Sequence, residues 1–270
     1  MMTEKTERDV NVEQLWRTLL TKGVYGKERR KRRFFKLFRG NPRCKNCFAP
    51  FEGAGSRVAR LVYHTRPSNL NPRLCNACEE FARQYRGGAE IELSLLFADV
   101  RGSTTLAESM NPTEFSKLIN RFYNSATQVM ARTDAMIDKI IGDQVAGMYV
   151  PGFAGPEHAR RAIYAAQEIL RVTGHGSPGG PWIELGAGVH TGTAFVGSVG
   201  SEEGTMDITV LGDVANTAAR LSSSAREGEI LISESAYASA GKNPGDLEKR
   251  VLELKGKQET VSVYVLTDYS

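Results

Sequence analysis

The chain has 270 residues, enough for one large domain or a domain joined to a small module, and 41% of them are hydrophobic, as a soluble globular core requires. No apolar run approaches the roughly 20 residues that span a bilayer, and residues 1–9 have no apolar signal core, so the expectation is a cytoplasmic protein. The net charge of +4 conceals an asymmetry: residues 1–90 carry 20 Lys/Arg against 9 Asp/Glu and residues 91–270 carry 15 against 22, which predicts two units with different partners.

Residues 10–22 have the pattern of a short helix. Residues 27–39 are strongly basic and carry four apolar side chains at their end. Such a segment can meet an anionic membrane, nucleic acid or an acidic partner surface, or it can be the solvated face of a docking helix. Residues 41–88 contain all four cysteines, in two C-x2-C pairs: Cys44 with Cys47, and Cys75 with Cys78. Disulfides are disfavoured in the cytoplasm. Four thiolates at this spacing suit tetrahedral Zn2+, with an iron–sulfur cluster or a redox dithiol as alternatives. The second pair runs into a helical pattern over 79–85, and a knuckle followed by C-x2-C at a helix start resembles a treble-clef zinc finger. Gly87-Gly88 is expected to be a hinge.

From Glu90 the pattern changes. Ile91, Leu93, Leu95 and Phe97 alternate as in a strand. Asn111, Pro112 and Glu114 signal a helix start, and Phe115, Leu118, Ile119, Phe122, Ala126, Val129 and Met130 make one apolar face. Residues 135–150 predict a hairpin with Gly142-Asp143 at its turn. A helix is expected over 157–172, a loop over 174–181, and strands near 182–190, 193–199 and 206–211. A helix over 213–224 follows, then strands near 229–232, 249–254 and 261–267. Interleaved strands and helices predict an α+β sheet with helices on one face. The domain boundaries expected are 1–40 for the basic segment, 41–88 for the cysteine module and 89–270 for the remainder.

Two segments end an apolar run with an aspartate close to a glycine: Asp99 stands three residues before Gly102, and Asp143 directly follows Gly142. Two carboxylates brought together by folding can hold a pair of divalent cations, which suits chemistry on a nucleoside triphosphate. Asp99 is followed by Arg101, Gly102, Ser103 and Thr104, a turn whose backbone N–H groups can cradle phosphate oxygens. Asn216 and Arg220 lie four apart in a helical pattern, so an amide and a guanidinium share one face and can hold a ribose and an oxyanion. Taken singly, each feature is ordinary: Asp beside Gly is a turn residue, an Asn/Arg pair is surface, and Lys139 is a solvated lysine.

Taken jointly, residues 97–104, 139–143, 188–192 with 197–200, 211–220 and 254–256 resemble the successive motifs of class III nucleotidyl cyclases, in order and spacing, over residues 90–267. The resemblance implies a ferredoxin-like βαββαβ core acting as a head-to-tail homodimer. It implies conversion of a nucleoside triphosphate to a 3′,5′-cyclic monophosphate and pyrophosphate with two Mg2+ or Mn2+. Asp99 and Asp143 match the metal-binding aspartates, with Val100 beside the first. Asn216 matches the ribose-orienting residue, Arg220 the transition-state arginine, and Lys255 a lysine at the terminal phosphates.

Lys139 matches a position that reads the purine, and its ammonium donates only, which suits adenine N1 and clashes with the N1 proton of guanine. The second base-reading position is Thr209, where many adenylate cyclases carry Asp; a hydroxyl accepts from the adenine 6-amino group more weakly. Asp207, two residues earlier, takes that role if the strand bulges. The Lys/Thr pair resembles a bacterial subgroup of adenylate cyclases, some of which respond to bicarbonate. Cyclisation of ATP is therefore expected, with guanylate or pyrimidine nucleotide cyclisation as the alternative. A competing possibility is an inactive cyclase fold serving as a membrane or nucleic-acid adaptor. Completeness of the Asp99, Lys139, Asp143, Asn216 and Arg220 set favours the enzyme.

Overall fold

The computed structural model describes residues 7–23, 27–38, 42–201, 204–243, 245, 247–254 and 260–267. The front of the chain is helical: α1 (Glu7–Lys22), α2 (Lys27–Lys36), α3 (Gly53–Tyr63) and α4 (Asn76–Gln84). Then come β1 (Gly87–Val100), α5 (Ser103–Ser109), α6 (Pro112–Arg132), β2 (Met136–Ile141), β3 (Gln144–Tyr149), α7 (Pro151–Ala154) and α8 (His158–Val172). The chain continues as β4 (Leu185–Gly200), β5 (Met206–Leu211), α9 (Asp213–Ser224), β6 (Ile230–Ser233), α10 (Glu234–Ser239), β7 (Lys249–Leu252) and β8 (Val261–Leu266). Among the described residues no helix is long and apolar enough to cross a membrane.

The chain divides into two compact units: residues 1–91, 150–155 and 193–211 in one, and residues 92–149, 156–192 and 212–270 in the other. The sheet runs in the order β2-β3-β1-β4-β6-β8-β7, with β5 paired to β4. Strands β1 and β4 run through both units, so each is divided between them. The succession β1-α6-β2-β3-α8-β4 with strand order β2-β3-β1-β4 is the βαββαβ arrangement expected.

In the second unit, α6 starts where the sequence predicts. Asn111 caps it by accepting the Thr113 N–H at 2.9 Å, and Pro112 occupies the first turn, where its missing N–H costs nothing. Ile119, Phe122, Ala126, Val129 and Met130 are buried, while Phe115 and Leu118 are half-buried. The β2–β3 turn is made by Ile141-Gly142-Asp143-Gln144, with Gly142 left-handed at φ 61°. Tyr123 of α6 donates its hydroxyl to the Gly142 carbonyl and holds the turn.

The helices do not all lie on one face, because β4 alternates. Thr191 bonds the Ser94 hydroxyl at 2.6 Å, and Ser94 bonds His158 Nδ1 at the start of α8 at 2.9 Å. Gly186 and Gly188, of opposite parity to Thr191, face α9 instead. A Cβ on Gly188 would lie 2.3 Å from the Ser222 nitrogen and 2.7 Å from the Ala218 carbonyl oxygen, so α9 reaches the strand only because that side chain is missing. Two expected strands near 182–190 and 193–199 are one, β4, because the backbone stays extended through Thr191, Gly192 and Thr193.

In the first unit, Trp16 of α1 is buried, donates Nε1 to the Tyr85 carbonyl at 2.8 Å and packs edge-on against Phe81 at 5.0 Å. Phe35 of α2 is buried with Cys44, Ala49, Phe51, Ala59, Leu74 and Cys75, and Phe34 and Tyr63 pack on this cluster. The basic helix thus places its apolar end in the cysteine core. Gly87-Gly88 is not a hinge. It begins β1, and a Cβ on Gly88 would sit 2.4 Å from the Val196 carbonyl oxygen, so the pair permits close strand contact. Three short helices, α5, α7 and α10, have too few residues to show a periodic face in the sequence.

The close approach of α9 makes a direct prediction. Gly188→Ala should lower unfolding stability by about 1–3 kcal/mol through overpacking against the helix backbone, read as a reduced urea midpoint with unchanged slope.

Candidate functional site

Asp99 is the penultimate residue of β1 and faces Gln144 across the β1–β3 ladder. The next residue, Val100, is buried and donates its N–H to the Asp143 carbonyl at 3.1 Å. One backbone bond therefore sets the end of the central strand against the β2–β3 turn and brings Asp99 and Asp143 together. Asp99 is 8% exposed. Burial pushes its carboxyl above the ordinary carboxylate range, and the charge of Asp143 adds to this; the neighbouring Arg101 guanidinium opposes both. A buried carboxylate beside a second one is a donor set that a hard divalent cation fits.

Arg101 is the residue that sequence reasoning left without a role of its own. Its Nη2 lies 2.5 Å from Asp99 Oδ2, and its Nη1 donates to the carbonyls of Ser223 at 3.0 Å and Ala225 at 3.2 Å. One guanidinium thus answers the buried carboxylate and caps the C-terminal end of α9, where carbonyls lack helical partners. The Arg101 N–H is spent on the Glu184 carbonyl at 2.8 Å, so it is not free to cradle a phosphate as the sequence suggested. Gly102, left-handed at φ 62°, turns the chain into α5, and Ser103 and Thr104 form its first turn.

On α9 the buried side is Thr217, Ala218, Leu221 and Ser222. Asn216 is exposed and Arg220 half-buried, both on the opposite side, four residues apart as predicted. Lys139 lies at a β-bulge, where the β2–β3 register shifts between Ile137 and Lys139, and its side chain is 45% exposed. Its Nζ is 4.0 Å from Oδ2 of the buried Asp138. Bulges re-aim side chains next to functional sites. Lys255 lies outside the described residues.

Thr209 belongs to the first unit and is buried on β5 opposite Gly197 of β4. The β4–β5 register is unbroken from Phe195–Leu211 to Gly200–Met206. No bulge moves Asp207 into the Thr209 position, and its carboxylate is otherwise engaged: Lys45 Nζ is 2.6 Å away and the Ile208 N–H donates at 2.9 Å.

The four cysteines come together in this unit. Their sulfurs all lie within 4.8 Å of one another, and Cys47 Sγ is 3.7 Å from Cys75 Sγ. That is far beyond a disulfide bond, and it matches the edge of about 3.8 Å in a tetrahedron with metal–sulfur bonds of about 2.3 Å. The knuckle closes through Cys44 N–H to the Ala49 carbonyl at 2.9 Å, and Cys75 is the N-cap of α4. The Cys75 N–H donates to Cys44 Sγ at 3.3 Å and Asn46 Nδ2 to Cys78 Sγ at 3.5 Å. Burial pushes the Cys44 thiol up, but hydrogen bonds from Cys47, Cys75 and Cys78 outweigh it and hold Cys44 well below the ordinary thiol range. The same sharing pushes Cys47 and Cys78 well above it. The cluster can hold a metal ion.

The signature of the family described as "Adenylate and Guanylate cyclase catalytic domain" matches residues 89–268. An adenylate cyclase of Anabaena cylindrica is 30% identical over 184 residues, which are 64% of this chain and 36% of that protein. The chain therefore spans about a third of that relative's length. Among solved structures, the guanylyl cyclase Cya2 superimposes with a TM-score of 0.59 at 28% identity, over 66% of this chain and 93% of that one. The adenylyl cyclase CyaB from P. aeruginosa does so with 0.56 at 27%, over 66% and 95%.

The double engagement of Arg101 is open to measurement. Arg101→Met keeps the apolar stem and removes every donor, which should cost about 1–3 kcal/mol of stability because a buried carboxylate loses its charged partner. Arg101→Lys should recover only part of it, since one ammonium does not reproduce the fork.

Proposed function

The chain belongs to the adenylate and guanylate cyclase catalytic domain family, and from that premise we propose that it converts ATP to 3′,5′-cyclic AMP and pyrophosphate. The observation that carries the reading is the juxtaposition of buried Asp99 with Asp143 through the Val100 to Asp143 backbone bond. In this reading the two aspartates, with Val100 beside them, would hold two Mg2+ or Mn2+ ions, which would supply positive charge against that of the triphosphate. The 3′-hydroxyl gives up its proton to solvent water as its oxygen bonds the α-phosphorus, and the bond from that phosphorus to the pyrophosphate oxygen breaks, so that pyrophosphate leaves with the bonding electron pair. Asn216 orients the ribose and Arg220 meets the charge developing at phosphorus. The first-turn residues Gly102, Ser103 and Thr104 lie beside the phosphates, and Lys255 meets the terminal ones.

Base choice rests on Lys139 and Thr209. The Lys139 ammonium donates to adenine N1 and meets a proton on guanine N1, while the Thr209 hydroxyl accepts from the 6-amino group. Asn216 is exposed and Arg220 half-open in the single chain, which supports sites completed by a second copy: metal carboxylates from one subunit, Asn/Arg and base-reading groups from the other. Residues 89–270 would form the catalytic domain of a cytoplasmic homodimer. Residues 41–88 would form a module that regulates it or sets the dimer, with Zn2+ on Cys44, Cys47, Cys75 and Cys78 joining two chain segments that bury little core on their own. The basic helix and residues 27–39 are read as part of that module's docking.

Two measurements test this. Across the four common triphosphates with Mn2+ or Mg2+, with and without bicarbonate, cyclic AMP should be the dominant product; preference for cyclic GMP or a cyclic pyrimidine nucleotide overturns the base assignment. Asp99→Ala and Arg220→Ala, each inactive alone, should regain part of the activity when mixed, because one of two composite sites is intact. Dimers without recovery overturn the shared site. For the module, elemental analysis should find one zinc per chain, and iron with visible absorbance sinks that assignment.

A further inference from the structure

We infer that Lys45, inside the first C-x2-C pair, is a positioning residue for nucleotide selection, acting through Asp207 on Thr209. The inference rests on the reading that Thr209 faces the purine.

The contact is built from both sides. Lys45 is 7% exposed and sits between Cys44 and Asn46, in the loop that the cysteine cluster shapes. Its N–H donates to the Arg73 carbonyl at 2.9 Å, two residues before Cys75, so the backbone of one cysteine pair fixes the lysine against the other. Its Nζ meets Asp207 Oδ1 at 2.6 Å. Asp207 and Thr209 are alternate residues of β5 and project from the same side of the strand, about 7 Å apart along it.

The ion pair is one of several grips on this hairpin. Asn71 Nδ2 donates to the Met206 carbonyl at 3.0 Å and Arg83 Nη2 to the Gly204 carbonyl at 2.7 Å. Ser198 of β4 donates its hydroxyl to the Ala82 carbonyl in α4 at 2.7 Å. Asn71 and Ser198 are themselves buried, so water does not substitute readily for these bonds. The knuckle, the loop before Cys75 and helix α4 thus all hold the beginning of β5 and its partner strand. Ordinary docking would be satisfied by apolar contact. Here a buried lysine is aimed at a carboxylate two residues from the base-reading position.

The chemistry makes the placement matter. A carboxylate accepts only, so a free Asp207 would offer an acceptor to whatever lies beside the strand. Lys45 neutralises it and fixes it. The threonine hydroxyl both donates and accepts, so its selectivity depends on where β5 holds it rather than on charge. Loosening the start of β5 should therefore cost selectivity before it costs turnover. The same logic ties selection to the cysteine cluster, because the loop that presents Lys45 is shaped by the four thiols.

The test compares Lys45→Met, Asp207→Asn and Thr209→Ala, and the Lys45→Met/Thr209→Ala double variant, in the full chain. Zinc content is measured on each. Lys45→Met should raise KM for ATP and lower the ATP-to-GTP ratio of kcat/KM by about three- to tenfold, with kcat little changed and one zinc retained. Added to Thr209→Ala it should change the ratio no further, and Lys45→Arg should restore it. Hydrogen exchange at Ile208 and Val210 should quicken in Lys45→Met, and likewise in the wild-type chain after chelation of its metal. If Lys45→Met loses zinc or fails to fold, Asp207→Asn, outside the module, supplies the same comparison. An unchanged ratio with zinc retained, or effects that add fully to those of Thr209→Ala, overturns the inference while leaving the cyclase reading intact. A wild-type chain that makes no cyclic nucleotide, or a Thr209→Ala variant with unaltered selectivity, overturns the reading beneath it.

Discussion

A carboxylate buried at the end of a central strand is costly unless a charged partner answers it, and the Asp99–Arg101 pair is that answer. Much else in the second unit follows from it. The guanidinium that pairs Asp99 also caps the end of α9, so the strand carrying one aspartate and the helix carrying Asn216 and Arg220 are held by one side chain. The absence of a Cβ at Gly188 lets the helix come close enough for that bond. Asp99 remains pushed above the ordinary carboxylate range, chiefly by burial. A carboxylate held above its ordinary range by burial beside a second carboxylate is the kind of group that functional sites collect.

The cysteine module solves a different physical problem. Its core is small: Phe35, Ala49, Phe51, Ala59 and Leu74 around two cysteines, with Phe34 and Tyr63 at the edge. A core this small contributes little stability by itself, and a metal ion held by the four cysteines would add to it. Arg43 donates to the Phe35 and Phe48 carbonyls at 2.9 and 3.1 Å and so fastens the basic helix to the knuckle. The positive charge of the front of the chain is therefore partly structural. Arg32 is buried between the rings of Phe48 and Phe153, at 4.2 and 4.5 Å from their centroids. Arg83 pairs with Glu79, and Lys45 with Asp207. Charge counting along the sequence does not separate such residues from those left to solvent.

The helices and strands with a clear period were legible from residues alone. The Asn111 cap and the apolar face of α6, the Gly142-Asp143 turn and the start of α9 at Asp213 fall where local chemistry puts them. Gly87-Gly88, the long strand β4 and the face on which α9 lies did not. Glycine pairs mean a hinge in a loop and close packing in a sheet, and only the neighbouring backbone decides which. The candidate site divides the same way. The aspartates, the Asn/Arg pair and the two cysteine pairs stood out by type and spacing. Arg101 and Lys45 did not, because a lone basic residue beside a motif has no signature until its partner is in place.

By itself the sequence determines the residue types, the local turns and caps, and the order of the motifs, since these depend on side chains within one or two turns of each other. Only the tertiary structure decides which distant groups meet. Arg101 reaches Ser223 across 122 residues and Asn71 reaches Met206 across 135. Such contacts are set by which strands pair and how closely a helix can lie on them. Strand pairing reflects the burial of whole apolar faces, and helix approach reflects a missing methyl group at one glycine, so neither is written in the neighbourhood of the residues they bring together.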